Sequence, residues 1–136
     1  MALPGGLLHS TRHWLVEHCV GPLGVGTLIV KPRRHVVRVS ELESVEASEL
    51  GPLLREASRV AEALTGAEQV YVCLWSHAGG EPVHIHFVVQ PVTPETKEAW
   101  GAFGPGLQMA MFDRGEFPEA SQVEAFADRA RAAFAA

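Results

Sequence analysis

Between Ser44 and Gly66 the apolar residues Leu50, Leu53, Leu54, Ala57, Val60, Ala61 and Leu64 recur at three- and four-residue steps, the spacing of one helix face. Ser44 is the expected N-cap and Gly66 the expected C-terminal stop. Gly51-Pro52 lies inside this stretch; proline lacks an N–H and crowds the preceding turn, so a kink or a late start near Pro52 is expected. Upstream, Trp14–Val20 is apolar but mixed, Gly21–Gly26 is a glycine-rich loop, and Thr27–Val30 reads as a short strand stopped by Pro32. Val36, Val37 and Val39 favour a second extended piece. Downstream the period falls to two in Gln69–Trp75 and Val83–Gln90, which predicts an antiparallel pair joined by the loop Ser76–Pro82. Thr93-Pro94 opens a short helix through Trp100, which Gly101–Gly106 breaks. Ser121 and Glu124 resemble a capping box for a final helix with Val123, Phe126, Ala127, Ala130 and Phe134 on its inner face. The sum is α+β, an antiparallel sheet with helices packed against it.

The length of 136 residues fits one domain, residues 1–136, and 47% apolar against 20% charged residues suffices for a core. A formal charge of -5 argues against a protein that coats nucleic acid, while leaving room for a small anion held locally. No apolar run approaches the roughly 18–20 residues of a membrane span, and no charged-then-apolar leader opens the chain. A cytoplasmic protein is therefore expected, with no membrane and no nucleic acid among its partners. Two cysteines, Cys19 and Cys73, are too few for a disulfide scaffold or a four-cysteine zinc site. His9, His13 and His18 precede Cys19 without a Cys-x-x-Cys, so no metal or other cofactor is assigned.

The segment richest in chemistry is Gly79–Pro91. Strand alternation would place His84, His86, Val88 and Gln90 on one face, with Ile85, Phe87 and Val89 turned to the core. Neighbouring imidazoles supply donors, acceptors and a nucleophile near neutral pH. Local geometry alone weighs this reading evenly against a solvated strand face. A His-x-His pair is also half of a metal site.

In order and spacing, Gly24–Pro91 resembles the histidine triad (HIT) superfamily of nucleotide hydrolases and transferases. Gly26–His35 is similar to that family's strand ending in proline, two basic residues and histidine. The amphipathic Ser44–Leu64 follows, then a strand, a glycine-containing loop and His84-Ile85-His86-Phe87-Val88-Val89-Gln90, with Pro91 in register. The resemblance covers about half of the chain. It implies a HIT-like sheet over about residues 14–92, one long helix against it, and a C-terminal helical extension over about residues 93–136.

The resemblance also implies a mechanism. His86 would attack the α-phosphorus of a nucleotide, forming a nucleotidyl-histidine that passes to water or another acceptor; His84 would orient it. Thr27 and Gln90, with Gly79 and Gly80 of the loop, are the expected ligand contacts. His35 would be structural, Arg33 and Arg34 would face phosphate or solvent, and a homodimer is implied. Departures from the pattern are specific: Val88 holds the third triad position, Thr27 stands where relatives carry a further histidine, Cys19 and Cys73 fall near an aspartate and an asparagine, and Glu81 near a serine. A phosphoester or phosphoanhydride hydrolase, or nucleotidyl transferase, is the first functional expectation. A module that binds a nucleotide or anion with little turnover is the second, and a cupin-type metal enzyme a distant third.

Overall fold

The computed structural model describes residues 3–136. Three strands come first: β1 (Leu7–Ser10), β2 (Trp14–His18) and β3 (Leu28–Pro32). Helix α1 (Ser44–Thr65) crosses to β4 (Gln69–Leu74), and β5 (Phe87–Val92) returns. Helices α2 (Pro94–Trp100), α3 (Gly104–Arg114) and α4 (Ala120–Ala135) follow. The strands form one antiparallel sheet in the order β1-β2-β3-β5-β4, so β5 inserts between β3 and the edge strand β4.

Alternation sorts the side chains into two layers. Trp14, Val16, Leu28, Val30 and Val89 pack under Leu53, Ala57, Val60 and Ala61 of α1 and Phe126, Ala127, Ala130 and Phe134 of α4. On the other face Cys19, Val88 and Val92 pack with Leu23 and with Leu107 and Met111 of α3. The open sheet with helices on both faces is an α+β fold and not the β-barrel that the cupin alternative requires.

Several expectations shift. Helix α1 starts at Ser44 and passes through Pro52 unbroken, with Glu43 as N-cap; the Glu46 carboxylate reaches back to the Glu43 N–H (2.8 Å). Proline is tolerated because Pro52 and Ser48, whose carbonyl loses its donor, both lie on the exposed side. Gly66 caps the helix at φ 71° as expected. Val36–Val39 forms no strand; a 3-10 turn covers Val39–Glu41. Thr93 caps α2, its side chain accepting from the Thr96 N–H (3.1 Å), whereas α4 takes Glu119 and not Ser121 as its N-cap.

The strand expected over Val83–Gln90 enters the ladder only at Phe87 and runs on through Pro91 to Val92. The Val92 carbonyl accepts from Glu68 of the β4 side, so strand alternation turns the Pro91 nitrogen toward β3. The β3 ladder has already ended there at Leu28–Val89, so no donor is missed. Gly26 sits near Pro91 at φ 101°, where a Cβ would come 3.0 Å from the Thr65 methyl and 3.4 Å from Pro91.

The glycine-rich loop is anchored by a buried histidine. His18 Nδ1 donates to the Cys19 carbonyl (2.6 Å), its Nε2 accepts the Gly26 N–H (2.8 Å), and its ring meets the edge of Phe126. Replacing it by an apolar residue strands two buried polar groups. His18→Leu is expected to lower unfolding stability by roughly 2–4 kcal/mol, read from urea denaturation.

Candidate functional site

The backbone of Val83–His86 bonds outside the ladder. The Val83 N–H donates to the Ser76 carbonyl (3.1 Å), the Ile85 N–H to the Val36 carbonyl (2.8 Å) and the His86 N–H to the Ser76 hydroxyl (3.3 Å). The two histidines are consequently put to different uses.

The His84 ring bridges backbone. Its Nδ1 accepts the Val36 N–H (3.1 Å) and its Nε2 donates to the Pro32 carbonyl (2.9 Å), while the ring stacks on His35 at 5.3 Å. These partners assign the neutral Nε2–H tautomer. Burial holds its pKa below the ordinary 6.5, and the charges of His35, Lys31 and His86 push the same way. Both nitrogens are committed, so His84 positions backbone.

His86 is half-buried, and its Nδ1 donates to the His84 carbonyl (3.3 Å). That bond leaves the Nε2 lone pair free. Nε2 has no partner among the described residues and touches solvent. The unprotonated ring nitrogen thus faces outward. Phe87 packs against Trp14 on the opposite side of the sheet, so alternation sends His86 toward the α3 side. One position past the last ladder pairs, Val30–Phe87 and Leu74–Phe87, His86 is flanked by Lys31 on β3 and Trp75 after β4. Lys31 pairs with Glu17 on that face and brings an ammonium to it.

Farther along β5 the same face is closed by α3. Gln108 Nε2 donates to Gln90 Oε1 (3.0 Å) and to Cys73 Sγ (3.3 Å), and Gln108 Oε1 accepts from Trp75 Nε1 (3.4 Å). Gln90 Nε2 donates to the Leu23 carbonyl (3.3 Å) and to Met111 Sδ (3.2 Å), and the Gly104 N–H donates to the Tyr71 hydroxyl (2.7 Å). The Thr27 hydroxyl donates to the same Leu23 carbonyl (3.0 Å). Thr27 and Gln90, the expected ligand contacts, are each 1% exposed, and their side chains are bonded to the glycine-rich loop and, for Gln90, to α3. Gly79 and Gly80 lie in the exposed loop with His77 and Glu81, and a Cβ at either glycine would meet no atom within 4 Å. Arg34 is bound to the buried Glu46 carboxylate (2.8 Å), which it holds below the usual carboxylate range, and Arg33 donates to the Thr11 carbonyl (3.1 Å). Burial pushes the Cys19 thiol up. Among the described residues no three His, Cys, Asp or Glu side chains gather as metal ligands, and no helix is long and apolar enough to cross a membrane.

Solved structures match this architecture over nearly the whole chain. A Hit-like protein involved in cell-cycle regulation from Bartonella henselae superposes with a TM-score of 0.72 at 14% identity, covering 96% of this chain and 87% of that one. A hypothetical histidine triad nucleotide-binding protein from Sulfolobus tokodaii gives 0.70 at 16% identity, covering 95% and 83%. This is the HIT-like fold. A hypothetical protein from Leishmania major is 32% identical, with a TM-score of 0.59, over 68% of this chain and 67% of that one. No family sequence model matches the chain, and no curated protein matches it.

Within the HIT-like fold, the sequence reading missed Lys31, Trp75 and the whole of α3. Lys31 was legible by parity, two residues beyond Ile29 on the same strand face. Leu107 and Met111, four residues apart, carry the helical signal of α3, but the Gly-Pro-Gly run before them reads as a breaker.

Two predictions follow from the burial of these polar groups. The unfolded chain binds protons near pH 6.5 that neutral His18 and His84 refuse, because burial lowers both pKa values. Their contribution is complete above that pH and is lost as pH falls below it, so the melting temperature should drop on acidification from pH 7 to 5. Gln108→Leu leaves the Gln90 carbonyl oxygen buried without its donor and should cost about 1–3 kcal/mol in urea unfolding.

Proposed function

We propose that the protein is a phosphoester or phosphoanhydride hydrolase, or nucleotidyl transferase, acting through His86. The observation that carries this reading is the His86 ring itself: Nδ1–H tied to the His84 carbonyl, and Nε2 at the surface without a partner among the described residues. As Nε2 attacks phosphorus, positive charge develops on the ring and strengthens the bond from Nδ1–H to that carbonyl. The Nε2–P bond forms, and the leaving oxygen departs with the bonding pair. Water then attacks the phosphorus, loses a proton, and returns the imidazole. In this proposal Lys31 turns from Glu17, its partner in the free protein, to balance charge on the phosphoryl oxygens in place of the imidazoles absent at Val88 and Thr27. Val88 can donate no proton, so the site favours groups that leave as stable anions, as in anhydrides. Support from the fold is general: the Sulfolobus protein is described as nucleotide-binding, at 16% identity.

A second reading, a HIT-like module that holds a nucleotide or other phosphate-bearing ligand with little turnover, is favoured by the cover α3 places over Val88 and Gln90. The homodimer and the cytoplasmic location expected from the resemblance belong to the same proposal.

A panel of nucleotides separates the readings. His86→Ala is expected to abolish turnover with the fold intact, and acid quench of the wild type to trap phosphorus on histidine. Lys31→Gln should lower kcat/KM roughly 10- to 100-fold. Equal, slow rates for wild type and His86→Ala would sink the enzymatic reading; calorimetric binding with no product overnight would establish the second.

A further inference from the structure

Between α3 and the loop after β4 lies a cleft of about 360 Å³, lined by Trp75, Ala78, Pro105, Gln108, Met109 and Phe112. Trp75 follows Leu74, the ladder partner of Phe87, and the His86 N–H donates to the hydroxyl of the next residue, Ser76 (3.3 Å), so the cleft and His86 share one end of the β4–β5 pair. Its walls are apolar, and none of these six residues is charged. Trp75 is 52% exposed, Phe112 48% and Met109 66%, an unusual amount of aromatic and thioether surface to leave in water at one place.

Its polar atoms are already committed. Trp75 Nε1 donates to Gln108 Oε1, and the Gln108 amide nitrogen serves Gln90 and Cys73. No side-chain donor is left to read the edge of a base, so recognition there rests on area and ring stacking. The volume suits one fused ring pair or a short alkyl chain.

We propose that this cleft binds an uncharged aromatic or alkyl substituent of the phosphate-bearing ligand that reaches His86. The proposal rests on the phosphate reading of His86 and adds the class of group attached to the phosphorus. The cleft is concave, holds about 360 Å³ and lies at the same end of the β4–β5 pair as His86, which favours a small molecule over a second copy of the chain.

The test compares 2-naphthyl phosphate, inorganic phosphate and neutral 2-naphthalenemethanol, by calorimetry and by chemical shifts of the indole N–H groups. Wild-type protein is expected to bind naphthyl phosphate at least about tenfold more tightly than inorganic phosphate. Met109→Gln, at an exposed position and adding no charge, should reduce that advantage while leaving the affinity for inorganic phosphate unchanged. Ala78→Trp, which fills the cleft from the loop side, should do the same. Naphthalenemethanol should shift the Trp75 signal in both wild type and His86→Ala, which reads the cleft independently of the phosphate site. Equal affinity for the two phosphates, naphthyl-induced shifts that bypass Trp75, or a wild-type dimer that Met109→Gln dissociates in sedimentation would each overturn the proposal. Failure of the His86 reading shows separately, as turnover indifferent to His86→Ala.

Discussion

At the end of the sheet a neutral imidazole does the work of a strand. Beyond Phe87 the chain leaves the ladder, and the His84 ring joins the Pro32 carbonyl to the Val36 N–H. Were it protonated, Nδ1 could no longer accept from Val36, and the connection from β3 to α1 would lose its tie to this segment. The backbone so fixed presents the His84 carbonyl to His86, which sets that ring's tautomer and leaves Nε2 bare. The orientation of one imidazole therefore depends on the inertness of its neighbour two residues away.

The same division runs through the other polar groups. Thr27 and Gln90 look like ligand contacts in isolation, yet each, like His18, is bonded to backbone in or beside the glycine-rich loop. The Leu23 carbonyl alone receives both the Thr27 hydroxyl and the Gln90 amide. A loop without a regular ladder needs side chains to satisfy its peptide groups, and those buried side chains are then closed to ligand.

The long helix, the β4–β5 pair and the capped α2 were legible because period and capping chemistry are local. β1 was not, since Leu7–Ser10 is too short to carry a period and is held by pairing with β2 and by α4 above it. Val36–Val39 misled because β-branched residues suit an extended backbone whether or not a partner strand is present. His84 and His86 were found by alternation and given separate roles by the resemblance, but the bonds that hold each ring were not legible, for these depend on where Val36 and Pro32 sit in space. The closing of Gln90 came from α3, whose packing three-quarters of the way along the chain leaves no mark on the segment it covers, and Thr27 turns to the Leu23 carbonyl of its own loop.

Helix α3 is bound to the molecule by short loops capped at Gly101 and Gly115. Its Leu107, Gln108 and Met111 thereby compete for the sheet face as an intramolecular ligand, at an effective concentration of roughly millimolar. Any free molecule that sought Val88 and Gln90 would have to displace that resident group, whereas one confined to His86 and the outer flank of α3 would not. Tethering thus divides the face into an occupied inner half and an outer half open to exchange.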